Sequence, residues 1–114
     1  DGGMLVEEMG EALRERRHAA SNGLILVSFA LDRRGKLASS IDVRGIGLPG
    51  DEDQPLGDLL DELAERAEDA VRKLKGEALE DEMVIEQAVA RTLKKASQGI
   101  WDRRPIVETI VLRV

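Results

Sequence analysis

The chain lacks most of the residue types from which catalytic sites are built. Its 114 residues include no cysteine, a single histidine and two aromatic residues, Phe29 and Trp101. The lack of cysteine excludes disulfides, thiolate metal sites and cysteine nucleophiles. It is also compatible with a reducing compartment, and we predict a cytoplasmic protein. Catalytic metal sites need several His or carboxylate ligands that converge. The histidine, His18, has no such neighbours in sequence, and we expect no catalytic residue, metal or cofactor in this chain.

Long apolar runs and an excess of positive charge are also missing. No segment approaches the about 20 consecutive apolar residues that a membrane-spanning helix needs, so we predict no membrane partner. Lys and Arg number 17 against 23 for Asp and Glu, a formal net charge of −6. Nucleic-acid binding by a surface that is basic throughout is therefore excluded, and any RNA contact has to come from a local patch.

The first part of the chain predicts a helix followed by a β-hairpin. Apolar residues recur at helical spacing over residues 5–20, and Asn22-Gly23 is a typical helix stop. Residues 24–31 are almost continuously apolar, which is the pattern of a central strand covered on both faces. After a polar turn, residues 37–44 alternate apolar and polar side chains, as expected of a half-exposed second strand.

The remainder predicts two helices and a final strand. An apolar stripe with a period of 3.6 residues begins at Leu56, with Pro55 suited to the first turn, and Gly76 is expected to interrupt the helix. A second helix is predicted from a cap at Asp81 to the segment 97–99, with Val84, Ile85, Ala88, Val89, Leu93 and Ala96 on its buried face. Residues 105–114 are rich in β-branched side chains and predict the last strand.

The predicted fold is a single α+β domain over residues 1–114. A small three-stranded β-sheet packs against two long α-helices in the order α-β-β-α-α-β, with the additional N-terminal helix and connector over residues 1–22 and the α/β core over residues 23–114. The first strand is the best candidate for the centre, which favours the strand order 2-1-3 and leaves a 1-2-3 meander open. Since the first methionine is Met4, we expect the chain to be a piece of a longer polypeptide.

The first and last strands carry apolar residues on both faces, whereas two helices cover only one face of a sheet. We expect the second face to be covered by the N-terminal helix, by another part of the parent chain or by a second copy of the protein. This pattern favours a docking or assembly module and a homodimer or higher homo-oligomer. Phe29 and Trp101 are the candidate apolar interface residues.

Arginine clusters support an alternative function, that of a freestanding RNA-binding module. Arginine binds phosphate bidentately, but a single-strand site usually has several stacking rings, and Trp101 is the only aromatic residue near a cluster. Salt bridges to the abundant carboxylates are the competing interpretation. The candidate residues for RNA contact or for an interface are Arg14, Arg16, Arg17, Arg44, Arg103 and Arg104.

The chain also resembles the C-terminal domain of ribonuclease J. The resemblance rests on the segment 13–23 (LRERRHAASNG) leading into an apolar strand, on Arg44-Gly45 after the hairpin and on Arg103-Arg104-Pro105 before the last strand. It covers about Leu13 to Val114. Relatives tend to carry an aromatic-rich stretch after the Arg-Gly pair, whereas residues 46–50 here read IGLPG.

The resemblance implies a noncatalytic part of a larger bacterial enzyme. Members of that family join a metallo-β-lactamase module, a β-CASP module and this small domain, and they degrade and process RNA with a divalent metal. The zinc, manganese or magnesium ions expected there belong to the catalytic modules, and none of the metal ligands maps onto this sequence. The resemblance further implies that the domain supports self-association and positions the catalytic modules, with RNA reached through the parent enzyme.

Overall fold

A computed structural model describes residues 22–114 of the chain. The predicted N-terminal helix, together with Arg14, Arg16, Arg17 and His18, lies outside the described residues. The described elements follow the predicted order and confirm an α+β fold. They are β1 (Leu24–Leu31), β2 (Asp42–Ile46), α1 (Leu56–Lys73), a 3₁₀ helix (Gly76–Leu79), α2 (Glu82–Trp101) and β3 (Ile106–Arg113).

The sheet has the strand order β2-β1-β3, with β1 in the centre. β1 pairs antiparallel with β2 and parallel with β3. The prediction that the most apolar strand is central is confirmed, and the meander is excluded. The position follows from burial, because a central strand has neighbours on both sides and is covered more completely than an edge strand.

Both helices pack on one face of this sheet. Alternate side chains of β1 point toward them, and α1 lies mainly under β2 while α2 lies under β3. Four fully buried helix side chains pack against β1: Leu63 of α1 and Ile85, Val89 and Leu93 of α2. Apolar burial of this kind is the main stabilising term for a small domain.

The hairpin differs from the prediction in where its second strand begins. β2 starts at Asp42 instead of Leu37, and Leu37 makes only an isolated bridge to Leu31. The Ser39 hydroxyl accepts a hydrogen bond from the Ala30 N–H at 3.0 Å, so a side chain takes the place of a backbone acceptor. The regular ladder therefore resumes only after Ser40-Ile41.

The side chain of Asp32 stabilises the turn that follows β1. Its Oδ1 accepts hydrogen bonds from the backbone N–H groups of Lys36, at 2.9 Å, and Arg34, at 2.8 Å. The bond from Lys36 is the largest cause of a lowered pKa of the Asp32 carboxyl, and the two positively charged side chains act in the same direction. This arrangement is a turn in which the side chain mimics a backbone acceptor.

Helix α2 confirms the predicted start and corrects the predicted end. The Asp81 side chain accepts a hydrogen bond from the Met83 N–H at 3.0 Å, but the helix continues through Ser97 to Trp101 and ends at Asp102, which is left-handed with φ 54°. The buried Ser97 hydroxyl donates to the Leu93 carbonyl at 2.6 Å, so this polar side chain is satisfied within the helix. Val84, predicted on the buried face, is exposed.

We predict that Gly23→Ala destabilises the fold, whereas Gly57→Ala stabilises it slightly. Gly23 has φ +92°, and an added Cβ would clash with the Leu48 side chain, while nothing lies within 4 Å of a Cβ added at Gly57 in α1. Strain of the first kind costs about 1–3 kcal/mol, and alanine in a helix gains about 0.5–1 kcal/mol over glycine. Urea unfolding measures the change in the free energy of unfolding for each variant. Destabilisation by both substitutions, or stabilisation by both, would contradict this account.

Candidate functional site: the outer sheet face and a cationic helix face

The sheet face turned away from α1 and α2 carries a second set of apolar side chains. In the strand register Ser28 lies beside Ile110 and Ala30 beside Leu112, so these residues share that face. β2 contributes alternate residues to the same face through its pairing with β1. We call this surface the outer face; it comprises Leu26, Ser28, Ala30, Asp42, Arg44, Ile46, Ile106, Glu108, Ile110 and Leu112.

Large apolar side chains on the outer face are exposed to solvent. Ile110 is 56% exposed, Leu112 is 57% exposed and Ile46 is 52% exposed, and the terminal Val114 is 68% exposed. Within one copy these side chains are far from buried. Contiguous exposed apolar surface is more often an interaction site than scattered single residues are.

The two aromatic candidates are not on the outer face. Phe29 is 3% exposed and belongs to the core beneath the helices, so it is unavailable to a partner. Trp101 is half-buried at the end of α2, where its Nε1–H donates to the Pro49 carbonyl at 2.7 Å. Trp101 therefore fixes the loop after β2 to the helix, which is a structural role of an amphipathic aromatic side chain.

Of the candidate arginines that the structure describes, only Arg44 lies on the outer face. Its Nε donates to Asp42 Oδ2 at 3.0 Å, and the arginine side chain remains 77% exposed. An exposed pair of this kind contributes little to stability. It does place one positive and one negative charge side by side at the edge of the apolar patch.

Arg104 instead joins a cluster of basic residues on α2. It lines a shallow cavity of about 360 Å³ together with Arg91, Lys94, Lys95 and Gln98. We call the four basic residues the cationic face. In the part of the chain described, none of the four forms an ion pair, whereas α1 arginines pair one turn away, as Arg66 does with Glu62.

The sequence interpretation identified Arg103 and Arg104 but missed Arg91, Lys94 and Lys95. The signal was their spacing of three and four residues, which places them on one side of a helix. Arg103 is exposed next to the cluster but does not line the cavity. Only the structure shows that the turn after α2 brings Arg104 back beside the helix.

Two kinds of feature are absent from the described residues, namely a group of potential metal ligands and a helix able to span a membrane. Between Asn22 and Val114, no three His, Asp or Glu side chains are grouped so that they could hold a metal ion. Over the same range no helix has the length and apolar character needed to cross a membrane.

Comparisons with known proteins agree with the geometry. The chain is 30% identical over 110 residues to "Ribonuclease J" of Sinorhizobium meliloti. The match covers 95% of this chain and 19% of that relative, so the chain spans about a fifth of the length of the curated relative. The sequence profile of the ribonuclease J C-terminal domain matches residues 11–114. The chain therefore belongs to the family of ribonuclease J C-terminal domains.

Proposed function

We propose that this domain is the noncatalytic part of a cytoplasmic ribonuclease J, where it holds two copies of the enzyme together and so positions their catalytic modules. The catalytic modules, with their divalent metal, lie outside the 114 residues, and RNA reaches this domain as the substrate of the parent enzyme. The observation that carries the proposal is the exposed apolar patch of Ile110, Leu112 and Val114.

A second copy of the chain is the occupant that best fits the outer face. In a two-fold symmetric dimer the same patch is used by both copies, so it has to be complementary to itself. The apolar patch meets this requirement, and the neighbouring Asp42 and Arg44 supply both signs of charge. Across a two-fold axis Arg44 of one copy pairs with Asp42 of the other, while a face of one sign would repel itself.

The competing occupants are the predicted helix over residues 5–20 and the catalytic modules of the same chain. Both would leave the full parent chain monomeric with respect to this face. Dimerisation of that chain therefore separates the proposal from the two alternatives, since burial against a second copy depends on protein concentration and burial within one chain does not.

The test in the parent enzyme is the double variant Ile110→Glu/Leu112→Glu. We expect the purified enzyme to lose its oligomeric state in light scattering and to cleave RNA more slowly, because four carboxylates would have to be desolvated at the interface. Thermal unfolding of the domain should change little, since both side chains are exposed in one copy.

The matched control is Met83→Glu/Val84→Glu. These residues are exposed apolar side chains in the first turn of α2, which packs on the sheet face opposite the outer face, and added negative charge there also suits the helix dipole. The control should keep both the oligomer and the activity. An unchanged oligomer in the outer-face variant would contradict self-association through this face, and a dissociated enzyme of full activity would contradict the positioning role.

A further inference from the structure

The charges of α2 are segregated in a way that helix stability does not explain. From Gln87 to Trp101 the helix has no Asp or Glu, although the chain as a whole has more acidic than basic residues. Arg91 has Lys94 and Lys95 at its i+3 and i+4 positions. Like charges at these spacings destabilise a helix by about 0.2–0.5 kcal/mol per pair. The cationic face is therefore an unfavourable arrangement for the isolated helix.

The helix dipole does not account for the arrangement either. Positive charges are favourable near a helix C-terminus, but the effect falls off within the last turn. The last turn of α2 contains no basic residue. Arg91 lies about 15 Å along the helix axis from Trp101, at the rise of 1.5 Å per residue. Nor does a nearby carboxylate neutralise the cluster: Asp102 accepts a hydrogen bond from Gln98 at 2.9 Å and forms no ion pair with a described residue.

We propose that the cationic face binds the phosphodiester backbone of RNA. Four positive side chains converge on one cavity, and its lining contains no apolar or aromatic side chain. Peptide partners are usually anchored by apolar pockets or strand edges, and base-specific single-strand sites by stacking rings. Neither feature is present here. The chemistry that remains is repeated pairing of Arg and Lys with phosphate oxygens, independent of base sequence.

The proposal extends the function beyond assembly. Naming RNA as the polyanion rests on the proposed role of the parent enzyme as a ribonuclease, whereas the affinity for phosphate rests on the charges of α2 and Arg104. The cationic face belongs to a helix that packs on the opposite side of the sheet from the outer face. RNA binding and dimerisation can therefore be lost separately.

The test measures binding of the 114-residue chain to fluorescent single-stranded oligouridylate by anisotropy over a series of KCl concentrations. For single strands log K falls with log salt with a slope of about −0.7 per phosphate neutralised. We expect Arg91→Gln/Lys94→Gln/Lys95→Gln to weaken binding and to reduce the magnitude of this slope by about 2, since three contacts are lost. Oligoadenylate should give the same slope.

The matched control removes three positive charges at the C-terminal end of α1 and just after it, as Arg72→Gln/Lys73→Gln/Lys75→Gln. Arg72 is paired with Glu68, none of the three lines the cavity of the cationic face, and we expect the slope of the unmodified chain. Equal slopes for the two triple variants, or no binding by the unmodified chain at low salt, would overturn the proposal. The proposal would also be overturned if a polyglutamate peptide bound as tightly as RNA and lost its binding in the α2 triple variant. Sedimentation of the α2 triple variant should be unchanged, which separates this result from a failure of self-association.

Discussion

Leu93→Ala is expected to lower the free energy of unfolding by about 3 kcal/mol, within the range of about 2–5 kcal/mol seen for buried leucines. Leu93 is 0% exposed and packs between α2 and the sheet. The substitution removes apolar contacts and leaves a cavity, because the surrounding side chains are held in place by α1 and by the sheet. Urea denaturation followed by circular dichroism measures the change, with an unchanged m-value as the sign that the transition stays cooperative.

Leu112→Ala is the control for this prediction. It is the same chemical change on the other face of the sheet, at a side chain that is 57% exposed. We expect it to alter the unfolding free energy of the monomer by less than about 0.5 kcal/mol, as is usual for surface substitutions. Similar losses for the two variants, measured below the concentration at which the chain self-associates, would show that the outer face is part of the fold itself.

The largest effect on assembly is expected from Ile110→Glu/Leu112→Glu in the isolated chain. Each side chain is a little over half exposed in one copy. Burying this exposed part in the dimer contributes about 1 kcal/mol per side chain. A symmetric dimer buries four of them, so their loss corresponds to about 4 kcal/mol, on the order of a 10³-fold increase in the dimer Kd. Desolvation of the new carboxylates acts in the same direction.

The dimer Kd of both proteins can be compared by sedimentation velocity over a concentration series. The Met83→Glu/Val84→Glu variant makes the same change in net charge on a helix that packs on the opposite face of the sheet, and it should keep the Kd of the unmodified chain. A similar rise in the dimer Kd of this control would show that the effect comes from general charge repulsion. The outer face would then have no special role.

Periodicity in the sequence was sufficient to predict the layers of the fold. The period of 3.6 residues in α1 and α2, and the apolar run of β1, report which side chains are buried, and burial decides which elements pack together. The surplus of apolar residues at the second parity of β3 likewise predicted a second apolar face that needs a cover, and the structure places the exposed Ile110 and Leu112 on it.

What the sequence did not predict depends on contacts between distant residues. The Ser39 hydroxyl replaces a backbone acceptor in the segment predicted to belong to the second strand, and the buried Ser97 hydroxyl is satisfied inside α2, where the helix was predicted to end. Parity alone also does not show that Phe29 points to the helices, because β1 is apolar on both faces. The cationic face could not be predicted without knowing the path of the chain after α2, because this path returns Arg104 to the side of Arg91.

The role assigned to the outer face depends on its meeting a second copy of the chain. Sedimentation equilibrium of the unmodified 114-residue chain, from low micromolar to near-millimolar concentration, tests this most directly. The account predicts a reversible shift toward a species with twice the chain mass of 12.5 kDa. A constant mass of 12.5 kDa over the whole range would contradict it.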